Sequence, residues 1–138
     1  MSSRPRTTAQ PSAATPTVRR AAPGRGMAVV ASLLVIVGSF LPWVHTALGN
    51  VSGINGPGLW TAYAAFAGLA GAMMPWRRVG AVHLGVFAAV ALVLPAWQVV
   101  HVLGLVGVGG WLPGTGLVLV ACGGVLAATA ALRSWRGL

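Results

Sequence analysis

Along the chain, apolar positions gather into four long stretches separated by two kinds of break. Residues 27 to about 44 (MAVVASLLVIVGSFLPWV), 58 to about 76, 79 to about 100 and 113 to about 132 each come close to the ~20 apolar residues that carry a helix across a hydrocarbon core of about 30 Å. The second stretch is the shortest. The breaks at residues 45 to 57 and 101 to 112 carry no charge, whereas the break between the second and third stretches is the pair Arg77-Arg78. Residues 1 to 26 are rich in Ser, Thr, Pro, Ala and Arg, lack side chains to build a core, and read as a disordered basic tail. Two other readings of this region exist: a secretory or twin-arginine signal around Arg19 and Arg20, and a translation start at Met27. A signal needs a small-residue cleavage site soon after its apolar core, but this segment runs on through Leu41, Pro42 and Trp43 into a glycine-rich loop.

The pattern predicts an all-α, polytopic membrane protein: a four-transmembrane-helix bundle over residues 27 to 138, built from two tandem helical hairpins. Charge then orients it. With four spans, Arg19, Arg20 and Arg25 before the first, Arg77 and Arg78 between the second and third, and Arg133 and Arg136 after the fourth all fall on one side. By the positive-inside rule that side is cytoplasmic. Both termini are then internal, and the two uncharged loops face outward. Tryptophan prefers the headgroup level, and the same topology places Trp43, Trp60, Trp97 and Trp111 at the outer boundary and Trp76 and Trp135 at the inner one.

Composition agrees with a lipid environment. The chain is 57% hydrophobic and 7% charged, against about 25% charged in an average soluble domain. Its net charge of +9 comes entirely from arginine, without lysine, aspartate or glutamate. The arginines flank apolar stretches instead of forming a patch interleaved with aromatics, which argues against a nucleic-acid partner. Cys122 is the single cysteine; it has no disulfide partner in the chain and reads as a small buried hydrophobe.

The two halves align loosely. Leu41-Pro42-Trp43 matches Leu94-Pro95 with Trp97, His45 matches His101, Gly58-Leu59-Trp60 matches Gly110-Trp111, and Trp76-Arg77 matches Trp135-Arg136. A duplicated hairpin accounts for this, as do the general rules for anchoring helix ends in a bilayer. Small residues recur every four positions at Ala64, Gly68 and Ala72, at Ala81, Gly85 and Ala89, and at Gly123, Ala127 and Ala131. Such ladders let helix backbones approach closely, either inside one bundle or against a partner subunit. Pro42 and Pro95 are expected to kink or end their helices near the outer side. Asn55-Gly56 and Pro57-Gly58 are turn dipeptides. Asn50-Val51-Ser52 matches the short glycosylation pattern.

Candidate chemistry is sparse. His45 and His101 sit at the outer boundary, where two readings apply: a pair that holds a haem or a metal between the hairpins, or interfacial histidines that meet headgroups and loop carbonyls. His83 lies 18 residues before His101, about 27 Å away along a helix, too far to share one ion with it. With no carboxylate anywhere, general acid-base catalysis, cation coordination and a proton relay all lack their usual groups. Small multidrug exporters share the length and the four spans but depend on a membrane-embedded glutamate that is missing here. No lysine exists for a phosphate loop, and no nucleophile pairs with a base in a hydrolase pattern. The expectation is therefore a non-enzyme without a cofactor.

The order of an Arg- and Pro-rich tail, a first span ending in Leu41-Pro42-Trp43-Val44, a loop with Ser52-Gly53 and Gly56, a Gly58-Leu59-Trp60 start to the second span and a basic inner turn resembles small four-span actinobacterial integral membrane proteins. The resemblance covers about residues 27 to 138 and implies the four-span fold; it brings no activity or binding residues with it. Three functions are consistent with the sequence. The leading one is a non-enzymatic accessory or assembly subunit of the bacterial cytoplasmic membrane, with the lipid bilayer and membrane-protein partners or further copies of itself as its contacts. The others are an oligomeric passive pore or permease for small uncharged or anionic solutes, and haem or metal binding through His45 and His101.

Overall fold

The computed structural model describes residues 24–137. The expected tail, including Arg19 and Arg20, lies outside the described residues apart from its last three. Four helices carry most of the described chain: α1 (Arg25–Phe40), α2 (Gly58–Met73), α3 (Arg77–Val106) and α4 (Thr115–Arg136). They alternate in direction, and each packs on two neighbours in the ring α1-α2-α3-α4. Two of them, α3 and α4, are long and apolar enough to cross a membrane. At ~1.5 Å per residue, α3 is about 45 Å long and α4 about 33 Å, while α1 and α2 reach only about 24 Å each.

An all-helical fold is not what forms. At the end where α1 stops, the chain builds a three-stranded antiparallel sheet from β1 (Pro42–Thr46), β2 (Gly49–Ser52) and β3 (Trp111–Pro113), in the order β2-β1-β3. Within it His45 faces Asn50 on one side and Leu112 on the other. A 3-10 turn, Gly53–Asn55, leads into α2. Residues 41 to 44 of the expected first span therefore leave the helix. Pro42 explains the stop, because it lacks an N–H and pushes the residue before it out of helical backbone; Leu41 is extended, at φ −79° and ψ 167°. Pro95 behaves differently. It is buried within α3, which continues past it to Val106, so the aligned prolines end one helix and are absorbed by the other.

The core is made of small residues. Ala28, Ala31 and Val35 of α1, Ala62 and Ala65 of α2, Leu84, Phe87 and Ala91 of α3, and Val120, Ala127 and Ala130 of α4 are buried. Glycines bring the backbones together at two reciprocal contacts. A Cβ on Gly38 would lie 2.9 Å from the Gly116 carbonyl and one on Gly116 2.6 Å from the Gly38 carbonyl, so α1 and α4 touch there. At the opposite end a Cβ on Gly80 would sit 2.7 Å from the Gly71 carbonyl, where α2 meets α3. Large apolar side chains point outward on all four helices: Val30, Leu33 and Val37; Phe66 and Met73; Val79, Val82 and Val86; Val118, Val125 and Leu132. Cys122 is also exposed, on α4, not buried as its apolar surroundings suggest.

Candidate functional site

The sheet end of the bundle owes its order to the unpaired carbonyls at the C-terminus of α1. The last four carbonyls of a helix have no intrahelical donor. Here Trp43 Nε1 donates to the Gly38 carbonyl at 3.0 Å, Ser52 Oγ to that of Phe40 at 3.1 Å, and the Gly53 N–H to that of Leu41 at 3.2 Å. Beneath them the buried hydroxyls of Ser39 and Thr61 lie 2.7 Å apart; with one proton each, one donates to the other, which passes its own proton to its helix carbonyl, Gly58 from Thr61 or Val35 from Ser39. Gly114 N–H donates to the Trp43 carbonyl at 2.7 Å and draws β3 onto β1. Trp43 is thus 2% exposed, a core residue in place of the headgroup anchor that its position suggested. Its indole nitrogen is spent on a helix terminus, and its ring is enclosed by the residues that the sheet brings over it.

The other tryptophans lie further out. Trp60, Trp76, Trp97 and Trp135 are exposed, the first at the start of α2, the second just before α3, the fourth in the last turn of α4. Trp111, in β3, is half-buried and donates through Nε1 to the Gly107 carbonyl at 3.1 Å.

The histidines go to separate partners. His45 Nδ1 is 2.7 Å from Asn50 Oδ1 across the β1-β2 pair. That amide oxygen is the type of neutral acceptor that can orient an imidazole in a chain without carboxylates. His101 stacks on Trp97, one helical turn earlier, with ring centres 5.1 Å apart and planes 12° from parallel. His83 Nδ1 is 2.9 Å from the Val79 carbonyl. Among the described residues, no three or more His, Cys, Asp or Glu side chains gather to hold a metal ion. The loose alignment of the two halves pairs His45 with His101; in the structure His45 contacts Asn50 and His101 stacks on Trp97.

Two other features were only half visible in the sequence. One is an apolar groove of about 770 Å³ between α2 and α3, lined by Trp60, Tyr63, Ala64, Ala89, Val90, Val93 and Leu94. Its origin is the second small-residue ladder. Ala81 is buried, Gly85 is half-buried and Ala89 is exposed, because a four-residue repeat drifts around a helix of 3.6 residues per turn. The α3 core face follows Ala81, Leu84, Phe87, Ala88 and Ala91 instead. The ladder's far end is left on the surface, with Trp60 and Tyr63 of α2 set edge to face at 6.4 Å. On α4 the ladder Gly123, Ala127 and Ala131 is buried throughout, and on α2 Gly68 and Ala72 are buried while Ala64 is half-buried.

The other feature is the arginine end. Arg25 opens α1, where a cation opposes the helix dipole. Its guanidinium reaches the far end of the same hairpin and donates from Nε to the Ala72 carbonyl at 2.6 Å and from Nη2 to the Met73 carbonyl at 2.9 Å. Arg77 opens α3 and donates from Nη2 to the Gly137 carbonyl beyond α4. Each hairpin is closed by its first arginine at the C-terminus of its second helix, where positive charge is favourable. This parallel is independent of the tryptophan and proline spacing. No family model, curated protein or solved structure matches the chain.

Proposed function

We propose that the chain is a four-span protein of the bacterial cytoplasmic membrane, with both termini cytoplasmic, that serves as a non-enzymatic accessory or assembly subunit. The observation that carries this reading is the inverted packing. All four helices bury alanine and glycine and expose valine, leucine, phenylalanine and methionine, the arrangement suited to lipid, where close backbone approach and dispersion hold helices together. A soluble bundle would leave that outer surface in water.

The short first helix fits this reading. β1 follows α1 directly in the chain, and as the middle strand it has paired neighbours on both sides, so its backbone can approach the hydrocarbon edge without orphan polar groups. The α2–α3 groove supplies the docking face: a floor of Ala64 and Ala89 beside apolar walls accepts an apolar helix from a partner. The passive-pore reading finds less support. Val35, Thr61, Phe87 and Val120 are fully buried inside the bundle, so a conduit would have to form between copies.

The test is purification from native membranes in mild detergent, with Ala64→Leu/Ala89→Leu as the groove-filled variant. The wild-type chain is expected to carry along a membrane partner or a second copy, and the variant to lose it while keeping its helical content. A wild-type chain that emerges only as a lone monomer removes the basis for the assignment. Reporter fusions test topology separately: the Arg77-Arg78 turn should report cytoplasmic, and Asn50 and Gly107 external.

A further inference from the structure

Among the described residues, 24–137, the arginine end is lopsided. The α1–α2 corner holds Arg25, whose guanidinium is engaged with the Ala72 and Met73 carbonyls. The α3–α4 corner holds four arginines. Arg77 and Arg78 lie in the first turn of α3 and Arg133 and Arg136 in the last turn of α4. The bond from Arg77 to Gly137 fastens the two sets together; a Cβ on Gly137 would lie 2.8 Å from Arg77 Nη2 and 3.4 Å from the Arg133 carbonyl. Arg77 is the member of this group that bonds a protein carbonyl among the described residues. Arg78, Arg133 and Arg136 extend from the same corner, all exposed.

No side chain neutralises them, because the sequence contains no aspartate or glutamate. These guanidiniums are open to an anion from another molecule, and the surroundings point to its chemistry. Exposed indoles of Trp76 and Trp135 flank the corner, and Val79, Val82 and Val86 of α3 and Leu132 of α4 continue from it as exposed apolar side chains. A ligand fitting both parts is anionic at one end and hydrocarbon at the other. Planar guanidiniums bind phosphate oxygens in pairs, and indole favours the headgroup level. We propose that this corner is a binding site for an anionic phospholipid, with the headgroup phosphate held by Arg78, Arg133 and Arg136 and the acyl chains along α3 and α4. A nucleic acid offers the same phosphates but no partner for the apolar side chains beside them.

This inference rests on the membrane reading above, and one experiment separates the two. The purified, delipidated full chain is titrated in neutral detergent with phosphatidylglycerol, phosphatidylcholine, inorganic phosphate and a short single-stranded oligonucleotide, and bound species are counted by native mass spectrometry. Both lipids carry a phosphate, but the choline cation of phosphatidylcholine offsets its charge, so three arginines should bind the net-anionic phosphatidylglycerol roughly a hundredfold more tightly. Arg78→Gln/Arg133→Gln/Arg136→Gln should abolish that preference, and Arg25→Gln should retain it. Equal binding of the two lipids by the wild-type chain overturns the site whether or not the triple variant folds. So does an unchanged preference in a folded triple variant, tighter binding of the oligonucleotide, or equal occupancy by free phosphate. A chain that stays soluble and monodisperse without detergent defeats the membrane reading instead.

Discussion

Gly123 and Gly85 allow the close packing of this bundle to be weighed against helix propensity. Both are interior helical glycines, so Gly→Ala brings the same backbone change: in water alanine is favoured by about 1 kcal/mol. If the separated helices stay helical in detergent, that gain shrinks equally for both. The difference lies in what the new methyl meets. At Gly85 no atom lies within 4 Å, and the substitution is expected to be neutral or to stabilise by up to about 1 kcal/mol. At Gly123 the methyl would lie 2.5 Å from Val35 Cγ2, 3.0 Å from the Ala31 carbonyl and 3.3 Å from the Val35 nitrogen. Val35 is fully buried and stiff at χ1, so α1 has to move off α4, at a cost of about 1–3 kcal/mol for overpacking. Val35→Ala opens a cavity at a cost of its own, but in its background the nearest atom is gone and only the two backbone contacts remain, so Gly123→Ala should cost less there than in the wild-type chain. The assay is unfolding of the purified chain followed by tryptophan fluorescence and circular dichroism. Equal stability of Gly123→Ala and Gly85→Ala would refute the α1–α4 contact as drawn, as would strict additivity of Gly123→Ala and Val35→Ala in the double variant.

Trp43→Phe keeps an aromatic ring but removes part of the buried volume and strands the Gly38 carbonyl, and should cost at least about 1–3 kcal/mol, read as a lower unfolding midpoint; a change below about 0.5 kcal/mol would show that both the indole N–H and its packing are dispensable. Ser39→Ala and Thr61→Val should each destabilise by about 1–2 kcal/mol, and the double variant by less than their sum, since each single change leaves the other hydroxyl short of a partner; strict additivity in the same assay argues against the pair. Arg25→Ala should accelerate amide hydrogen exchange around Ala72 and Met73 without affecting the end of α4, while Arg77→Ala should loosen the end of α4 and spare α2. Cys122 should react with an uncharged maleimide in detergent and resist a membrane-impermeant sulfonated reagent in intact membranes; rapid labelling by the latter would contradict a lipid-facing α4.

The helices were legible because apolar run length and the basic breaks are local signals. Gly58 as the start of α2 and the interruption at Arg77 follow directly from them. The sheet was not legible for two reasons. The run from Met27 to Val44 is apolar without a gap, so hydropathy cannot see the change from helix to strand at Leu41. Pro42 marked it but carried the same weight as Pro95, which sits within a helix. In addition, β3 consists of only Trp111, Leu112 and Pro113, and its pairing with Val44, His45 and Thr46 joins residues more than 60 positions apart. No local pattern encodes that. Trp43 shows the same limit: its type and position fit an interfacial anchor, and only the three-dimensional path of Ser52, Gly53 and Gly114 over it makes it a core residue. The groove was half legible, since Gly85 and Ala89 stood out as a ladder but their face could not be known before Phe87 and Ala91 claimed the core.

The sheet also sets an order of events during synthesis. Its central strand, β1, leaves the ribosome early and can pair at once with β2, while Arg25 can close the first hairpin as soon as α2 is made. The opposite edge of β1 stays open until Trp111–Pro113 emerges, after the whole of α3. A chain truncated or stalled within α3 would present that edge unpaired, so the sheet is complete only after the connection between α3 and α4 has been made.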